Sequence, residues 1–208
     1  MIRLLAISLL AILLLTSCSL KITEGLRQIA FNKTEVENPY FSNAEIDYVY
    51  KAKIEVYGKN FGGILIIKKI GAENHRIVFT TEFGSKLFDF QFEGDTFIKN
   101  FIVEDLDKKF IVNILKDDFK LLVKEQASVL AVYESENQKI YKTHDAERFS
   151  FYFFGNESEQ LEKIINTSKT KEKVEIDFTS SEENIADSIA IKHNNIKLTI
   201  DLEKFKKE

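Results

Sequence analysis

The chain has 208 residues and a formal net charge of −4, with 29 Lys and Arg against 33 Asp and Glu. Charges of both signs are interspersed without a basic stripe, which excludes a typical nucleic-acid-binding surface. The single cysteine excludes an intramolecular disulfide, so the fold must depend on an apolar core. The aromatic composition is unusual, with 18 phenylalanines and no tryptophan. A chain of this length is expected to form one domain.

An apolar segment opens the chain. Residues 1–17 read MIRLLAISLLAILLLTS, where Arg3 is a short positive region and an apolar run extends from Leu4 to Leu15. The run is shorter than the roughly 20 residues that a transmembrane helix needs, and it has the proportions of a secretory signal peptide. We therefore predict that residues 1–17 are a signal peptide.

The only cysteine follows this segment. The run Leu15-Thr16-Ser17-Cys18 resembles the lipobox of bacterial lipoproteins, in which an aliphatic residue and two small residues precede the cysteine. That resemblance implies acylation of Cys18, palmitate included, and a membrane anchor in which each buried CH₂ contributes about 0.8 kcal/mol. The alternative is an ordinary signal peptide followed by a free thiol, but lipidation also explains why a second cysteine is missing.

The rest of the chain divides at about residue 45. Residues 18–45 are polar with scattered apolar positions, and we predict a tether there with a short helix around Thr23–Phe31. From Ile46 onward, apolar and polar residues alternate, which is typical of half-buried strands. The predicted strands are YVYKAKIEVYG, GILIIKKI, HRIVFTTEF, KLFDFQF and TFIKNFIV, followed after a helix by SVLAVYES, KIYKTH, ERFSFYFF, KVEIDFTS, SIAIKH and IKLTIDLEKF. KNFGG is predicted as a turn, and residues 157–168 as a short polar helix or a loop.

One segment has a helical period. Residues 105–125 read DLDKKFIVNILKDDFKLLVKE, with Asp105 or Asp107 as the predicted N-cap. An apolar face of this breadth needs a sheet to cover. Its predicted contact residues are Phe110, Ile111, Ile114, Leu115 and Leu122. About 10–11 antiparallel strands cannot stay flat, so we predict an α+β fold in which residues 46–208 form a curved half-barrel with this helix packed on the concave side.

The sequence contains no recognisable catalytic constellation. His75, His144 and His193 lack metal-ligand spacing, and each is predicted to be a solvated residue at a strand end. No G-x-S-x-G motif occurs, and the carboxylate clusters lack the glycine that a calcium loop requires. We therefore predict a protein that is not an enzyme and has no metal or cofactor; a hydrolase is the weakest of the hypotheses.

The phenylalanines suggest a binding site. Eight of them fall on apolar strand faces, and they could form an ordinary core covered by the helix. They could equally line a concave cavity for acyl chains with the helix as a lid, because ligand sites of this kind are apolar and concave. The predicted cavity residues are Phe79, Phe83, Phe88, Phe90, Phe92, Phe149, Phe151 and Phe153.

Three stretches resemble the lipoprotein-localisation (Lol) carrier and receptor proteins: LTSC at residues 15–18, KIEVYGKNFGGILIIKK at residues 53–69, and RIVFTTEFGSKLFDFQFEGD at residues 76–95. The resemblance covers about residues 46–105, and strand count alone extends it further. It implies a half-barrel of about eleven strands, closed by helices, that binds the acyl chains of other lipoproteins. The family's membrane-inserting loop has its nearest counterpart at residues 60–63, where Phe61 is the membrane-tip candidate. The family's tryptophan positions are absent.

Two functional hypotheses follow. The first is a membrane-anchored protein that binds acyl chains of lipids or lipoproteins and acts in lipoprotein localisation to the outer membrane. The second is a structural or assembly lipoprotein of the envelope with a self-filled core and a protein partner. Ser19 and the absence of an acidic run after Cys18 favour the periplasmic face of the outer membrane.

Overall fold

The computed structural model describes residues 21–145 and 148–205. Within these residues a 14-stranded antiparallel sheet accompanies one α-helix, α1, Lys109–Val123, and a 3₁₀ turn at Lys21–Thr23. The strands are β1 Arg27–Ile29, β2 Glu35–Glu37, β3 Asp47–Val56, β4 Lys59–Gly71, β5 Asn74–Thr80, β6 Lys86–Glu93, β7 Thr96–Ile102, β8 Gln126–Glu134, β9 Gln138–Asp145, β10 Arg148–Gly155, β11 Leu161–Thr167, β12 Glu172–Thr179, β13 Ser188–His193 and β14 Leu198–Lys204. The α+β fold with one open, curved sheet and a helix is confirmed. Over the described residues, the sheet has 14 strands instead of the expected 10–11, because β1, β2 and β11 were not predicted.

The strand order explains how the helix is placed. The sheet runs β1-β8-β9-β10-β11-β12-β13-β14-β3-β4-β5-β6-β7, so two meanders are joined where β14 pairs with β3. Strands β7 and β8 follow each other in the chain but lie near opposite ends of this order. The connection between them must therefore cross the sheet, and α1 forms within that crossing.

The helix is shorter than its sequence pattern predicts. It begins at Lys109, and its N-cap residue Lys108 makes no side-chain capping bond. The prediction of Asp105 or Asp107 as the N-cap is wrong, because each carboxylate binds a lysine instead. Asp105 lies 2.5 Å from Lys59, and Asp107 lies 2.6 Å from Lys99. Ion pairs to the sheet thus replace the local cap.

The segment expected to be a tether belongs to the folded domain. Strands β1 and β2 both pair with β8. The helix predicted around Thr23–Phe31 is therefore wrong, because β1 occupies that segment. Tyr40 and Phe41 are fully buried, and the Asn38 side chain donates a hydrogen bond to the carbonyl oxygen of Leu122, 2.9 Å away. The N-terminal segment pairs with the backbone of β8 and with the end of α1, and the polar sequence of the segment does not reveal these distant partners. Cys18 and the predicted signal peptide lie outside the described residues.

Two further turn and loop predictions are wrong. The hairpin after β3 turns at Tyr57 and Gly58, which have positive φ angles of 48° and 82°, and KNFGG lies inside β4. Gly63 is required there because a Cβ atom at this position would collide with the carbonyl oxygen of Thr80. Within residues 157–168, strand β11 extends from Leu161 to Thr167, because pairing with β10 and β12 outweighs the polar composition.

Candidate functional site

Four of the predicted cavity phenylalanines form a close-packed core. Phe79, Phe88, Phe90 and Phe92 lie on the concave face with at most 2% of their surface exposed. The ring of Phe88 stacks on Phe90 with centroids 4.5 Å apart, and Phe119 of α1 packs against Phe88 at 5.6 Å. The helix therefore fills this half of the sheet with its own side chains, as the ordinary-core alternative requires.

The other four phenylalanines do not join them. The side chain of Phe83 is 98% exposed in the connection after β5, so its placement on an apolar face is wrong. Phe149, Phe151 and Phe153 form a separate cluster with Ile140 and Ile165, on the face of the sheet opposite to α1. Ile22 and Leu26 of the N-terminal segment pack on this cluster. The eight phenylalanines consequently do not line one cavity.

A cavity of about 470 Å³ lies elsewhere, between α1 and the β9–β13 part of the sheet. This volume is within the range of roughly 300–1,000 Å³ typical of small-molecule sites. Its apolar wall comes from both sides: Phe110, Ile114 and Leu121 from the helix, Tyr152 and Val174 from the sheet, and Ile196 from the turn between β13 and β14. Of the predicted lid residues, Phe110 and Ile114 line this cavity, whereas Ile111, Leu115 and Leu122 are buried in the core.

The floor of the cavity is a row of side chains across five neighbouring strands. Strand register places Thr143 opposite Ser150, Ser150 opposite Asn166, Asn166 opposite Val174, and Val174 opposite His193. All five residues line the cavity. Four of them are polar, although the same face is apolar elsewhere. A buried polar row on an otherwise apolar face is the signature of a site, because the apolar alternative would be more stable.

Asn166 carries an unsatisfied atom in this row. Its Nδ2 group donates to the Ser150 Oγ atom at 2.9 Å and to the Phe149 carbonyl oxygen at 3.5 Å, and the carbonyl, which can only accept, fixes the orientation of the amide. Its Oδ1 atom is buried and has no hydrogen-bond partner in the described part of the chain. An unpaired buried acceptor costs roughly 1–3 kcal/mol.

The helix contributes a buried carboxyl group. The Oδ2 atom of Asp118 lies 2.8 Å from the Nε2 atom of His193, and the two side chains are 2% and 7% exposed. Burial raises the pKa of the Asp118 carboxyl, whereas the hydrogen bond from His193 lowers it. His193 thus compensates part of the cost of placing a carboxyl group between the helix and the sheet.

Charged residues surround the cavity. Arg148 pairs with Asp117 at 3.2 Å, and Lys124 pairs with Asp145 at 2.7 Å, so two ion pairs join α1 to β9 and β10. The hydrogen bond from Lys124 lowers the pKa of Asp145. Lys173 also lines the cavity. The charges here are largely paired, which leaves the surroundings close to neutral.

Two of the three histidines were predicted wrongly. His144 is exposed, as expected, but His75 is buried and the side chain of His193 is only 7% exposed. The Nε2 atom of His75 donates to the carbonyl oxygen of Phe41 at 3.0 Å, and burial lowers its pKa. The N-terminal segment around Phe41 covers His75, and α1 covers His193. Both histidines were expected to be solvated at strand ends, but these distant segments shield them from solvent.

Phe61 does not form a tip. It lies within β4 opposite Ile54 and is partly buried against the core, so the membrane-tip prediction is wrong. The exposed aromatic residue of that hairpin is Tyr57, which is 54% exposed and has its ring 6.2 Å from that of Phe110. Phe110 and Ile196 belong to the cavity lining, so this aromatic pair stands beside the cavity.

The sequence contained a signal for this site that the aromatic pattern obscured. In RFSFYFF, Ser150 is the polar residue among aromatic neighbours, and in KIINT, Asn166 follows two isoleucines. Polar residues at such positions are unexpected unless they have a function. The contact between Asp118 and His193 could not be predicted from residue spacing, because the two residues are 75 positions apart in the chain.

Two further features are missing from the described residues. Across 21–145 and 148–205, no group of three or more His, Cys, Asp or Glu side chains is arranged to hold a metal ion. Over the same ranges, no helix has the length and apolar character needed to cross a bilayer.

Comparison with known proteins finds similarity at the level of structure. No family model matches the sequence, and no curated protein matches it. Similar solved structures include a LolA superfamily protein from Nitrosomonas europaea, with 8% identity, a TM-score of 0.46, and coverage of 82% of this chain and 90% of that one. They also include a protein described as an outer-membrane lipoprotein-sorting domain from Vibrio parahaemolyticus, with 8% identity, a TM-score of 0.42, and coverage of 77% and 83%.

A DUF1329 family protein from Desulfovibrio piger is similar as well, with 8% identity, a TM-score of 0.41, and coverage of 76% of this chain and 82% of that one. At this level of identity and overlap, the function has to be argued from the chain's own cavity.

Proposed function

We propose that this protein is a non-enzymatic, lipid-anchored envelope protein that binds a single amphipathic molecule in the cavity between α1 and β9–β13. The observation that carries the proposal is the cavity itself, which has about 470 Å³ of space beside an otherwise filled concave face. Its apolar wall suits an acyl chain, since burying apolar surface contributes about 25 cal/mol per Å². The anchor at Cys18 and the outer-membrane location belong to the same proposal: the anchor comes from the lipobox, and the location from Ser19 and the absence of an acidic run after Cys18.

A binding role fits the site better than hydrolysis. Asp118 and His193 form an acid–histidine pair, but Ser150 lies on β10 and His193 on β13. Three strand spacings of about 4.8 Å separate them by on the order of 14 Å along the sheet. A serine nucleophile must lie within hydrogen-bond reach of its base, so these three residues do not form a catalytic triad.

The alternative role in envelope assembly has support from the filled half of the sheet. There, Phe119 and its neighbours occupy the space that the acyl-chain hypothesis assigned to ligand. On this view the cavity between α1 and β9–β13 would hold water only, and the outer surface would bind a partner protein.

The experiment uses residues 19–208 produced without the anchor. The purified protein is extracted with organic solvent and the extract examined by mass spectrometry, and a fluorescent fatty-acid analogue is titrated into delipidated protein. We expect co-purified lipid and saturable binding of the analogue. Absence of both would overturn the binding proposal and leave the assembly role.

A matched pair of variants locates the site. Val174→Phe places a ring on the cavity floor and should weaken binding of the analogue at least tenfold. Val78→Phe makes the same change on β5, away from the cavity, and should leave binding unchanged. If the two variants behave alike, the ligand binds somewhere else.

A further inference from the structure

We propose that the polar row Ser150–Asn166 is the recognition site for an uncharged head group that donates a hydrogen bond, a hydroxyl or an amide N–H. The inference rests on the proposed function and deepens it, because it names the chemistry of the ligand's polar end. It assigns to Asn166 a specificity role that the general description of an apolar cavity does not contain.

Asn166 lines the cavity and holds a free acceptor. Its side chain is buried, its amide is held by the Ser150 hydroxyl and the Phe149 carbonyl, and its Oδ1 atom has no partner within the described residues. A buried carbonyl oxygen without a partner in the protein can be satisfied only by a donor from outside it. A hydroxyl or amide group supplies that donor, whereas a carboxylate or an ester does not.

The position of Asn166 suits the polar end of a bound chain. It lies at the middle of the row, with Val174 on one side and Ser150 on the other. The apolar wall formed by Ile114, Leu121 and Tyr152 lines the same cavity. A chain packed along that wall can thus place its polar end on the floor of the sheet, where the acceptor is.

The charges around the cavity favour an uncharged head group. The carboxylates and cations that line the cavity are mostly paired with each other, Arg148 with Asp117 and Lys124 with Asp145, while Asp118 is held by His193. Except beside Lys173, a charged head group would have to compete with these partners or remain unpaired in a partly buried site. An uncharged donor avoids that cost.

The test compares three ligands with the same acyl chain on delipidated protein. Monomyristin presents hydroxyl donors, myristamide presents an amide donor, and methyl myristate presents none. Each is titrated as a competitor of the fluorescent fatty-acid analogue. One net hydrogen bond predicts that the better of the two donor ligands binds about fivefold to tenfold more tightly than the methyl ester.

The variant Asn166→Leu removes the acceptor and keeps a side chain of similar size. We expect it to abolish the preference for the donor ligand while the methyl ester binds as before, with folding monitored by the thermal midpoint. Equal binding of all three ligands to the unmodified protein would overturn the head-group proposal and leave the proposed function intact. That comparison needs no variant, so it stands even if Asn166→Leu does not fold. If none of the ligands binds and no lipid co-purifies, the proposed function itself fails.

Discussion

The Nε2 atom of His193 on β13 lies 2.8 Å from the Oδ2 atom of Asp118 on α1, and both side chains are almost completely buried. This contact ties the helix to the sheet along one side of the cavity. On the other side, Lys124 and Asp145 join the same helix to β9. The cavity therefore lies between two polar links and the apolar core.

Removing one member of the buried pair should be costly. His193→Leu leaves the Asp118 carboxyl without its partner, and we expect a loss of about 3 kcal/mol in the free energy of unfolding at pH 7. Asp118→Asn keeps an oxygen that accepts the hydrogen bond from His193, so its loss should be about 1 kcal/mol. Urea unfolding followed by circular dichroism measures both, and equal losses would contradict a role for the charge.

The same pair should give a pH signature. Burial raises the pKa of Asp118, so the folded state favours the protonated carboxyl and stability falls as the pH rises above the unfolded value of about 3.9. His193→Leu removes the bond that opposes this effect. Its deficit relative to the unmodified protein should therefore grow as the pH rises above about 3.9. A deficit that does not change with pH would point to lost packing alone.

Asp89 should produce the opposite dependence. Its buried carboxylate accepts hydrogen bonds from Arg76 at 2.8 and 3.0 Å and from Lys86 at 2.7 Å, which lower its pKa to about 2. The resulting stability is present above the unfolded pKa of about 3.9 and is lost as the pH falls through 2. Since both cations are partly exposed, we expect about 1–2 kcal/mol. In Asp89→Asn, the free energy of unfolding should no longer show this dependence on pH between about pH 4 and pH 2. If its slope against pH equals that of the unmodified protein, Asp89 is not the group responsible.

Phe88 and Phe83 test whether the concave face is filled at its aromatic end. Phe88→Ala opens a void beside Phe90 and Phe119, so the unfolding free energy should fall by about 3–5 kcal/mol. Phe83→Ala, the matched control, changes an exposed ring and should stay within about 0.5 kcal/mol. At a temperature where both variants are folded, the fluorescent analogue should bind each with unchanged Kd. Weaker binding by Phe88→Ala would mean that acyl chains do enter the aromatic half.

Two adjacent glycines test the course of β4. Alanine at position 63 would place its Cβ against the Thr80 carbonyl, whereas alanine at position 62 meets open space. Gly63→Ala should destabilise the protein by about 1–3 kcal/mol, and Gly62→Ala by no more than about 0.5 kcal/mol. Thermal unfolding distinguishes them; equal effects would mean that the two residues form a turn, as their sequence suggested.

Much of the fold followed from local patterns. The alternation of Tyr48, Tyr50, Ala52 and Ile54 predicts β3, and its register in the sheet agrees. The N-terminal segment could not be predicted in this way. Tyr40 and Phe41 stand in a polar context, and their burial depends on contacts with α1, β5 and β11, which are distant in the chain.

The candidate site depends on which face of strand β10 turns towards α1, and the local sequence of β10 does not determine this. In RFSFYFF both faces carry aromatic residues, so alternation alone allows either set to turn inward. A shift of one residue exchanges the two faces of a strand. Ser150 and Tyr152 face α1 in the structure, and Phe149, Phe151 and Phe153 face the N-terminal segment.

The sequence by itself determined the strand period, the single long amphipathic helix and the half-barrel class, because these depend on neighbours along the chain. Tertiary structure decided which aromatic residues are core and where space remains. It did so because α1 crosses from one end of the sheet to the other and fills the β5–β6 half with Phe119. Over β9–β13 the same helix lies above a polar row, and the cavity with Asn166 at its floor results from that crossing.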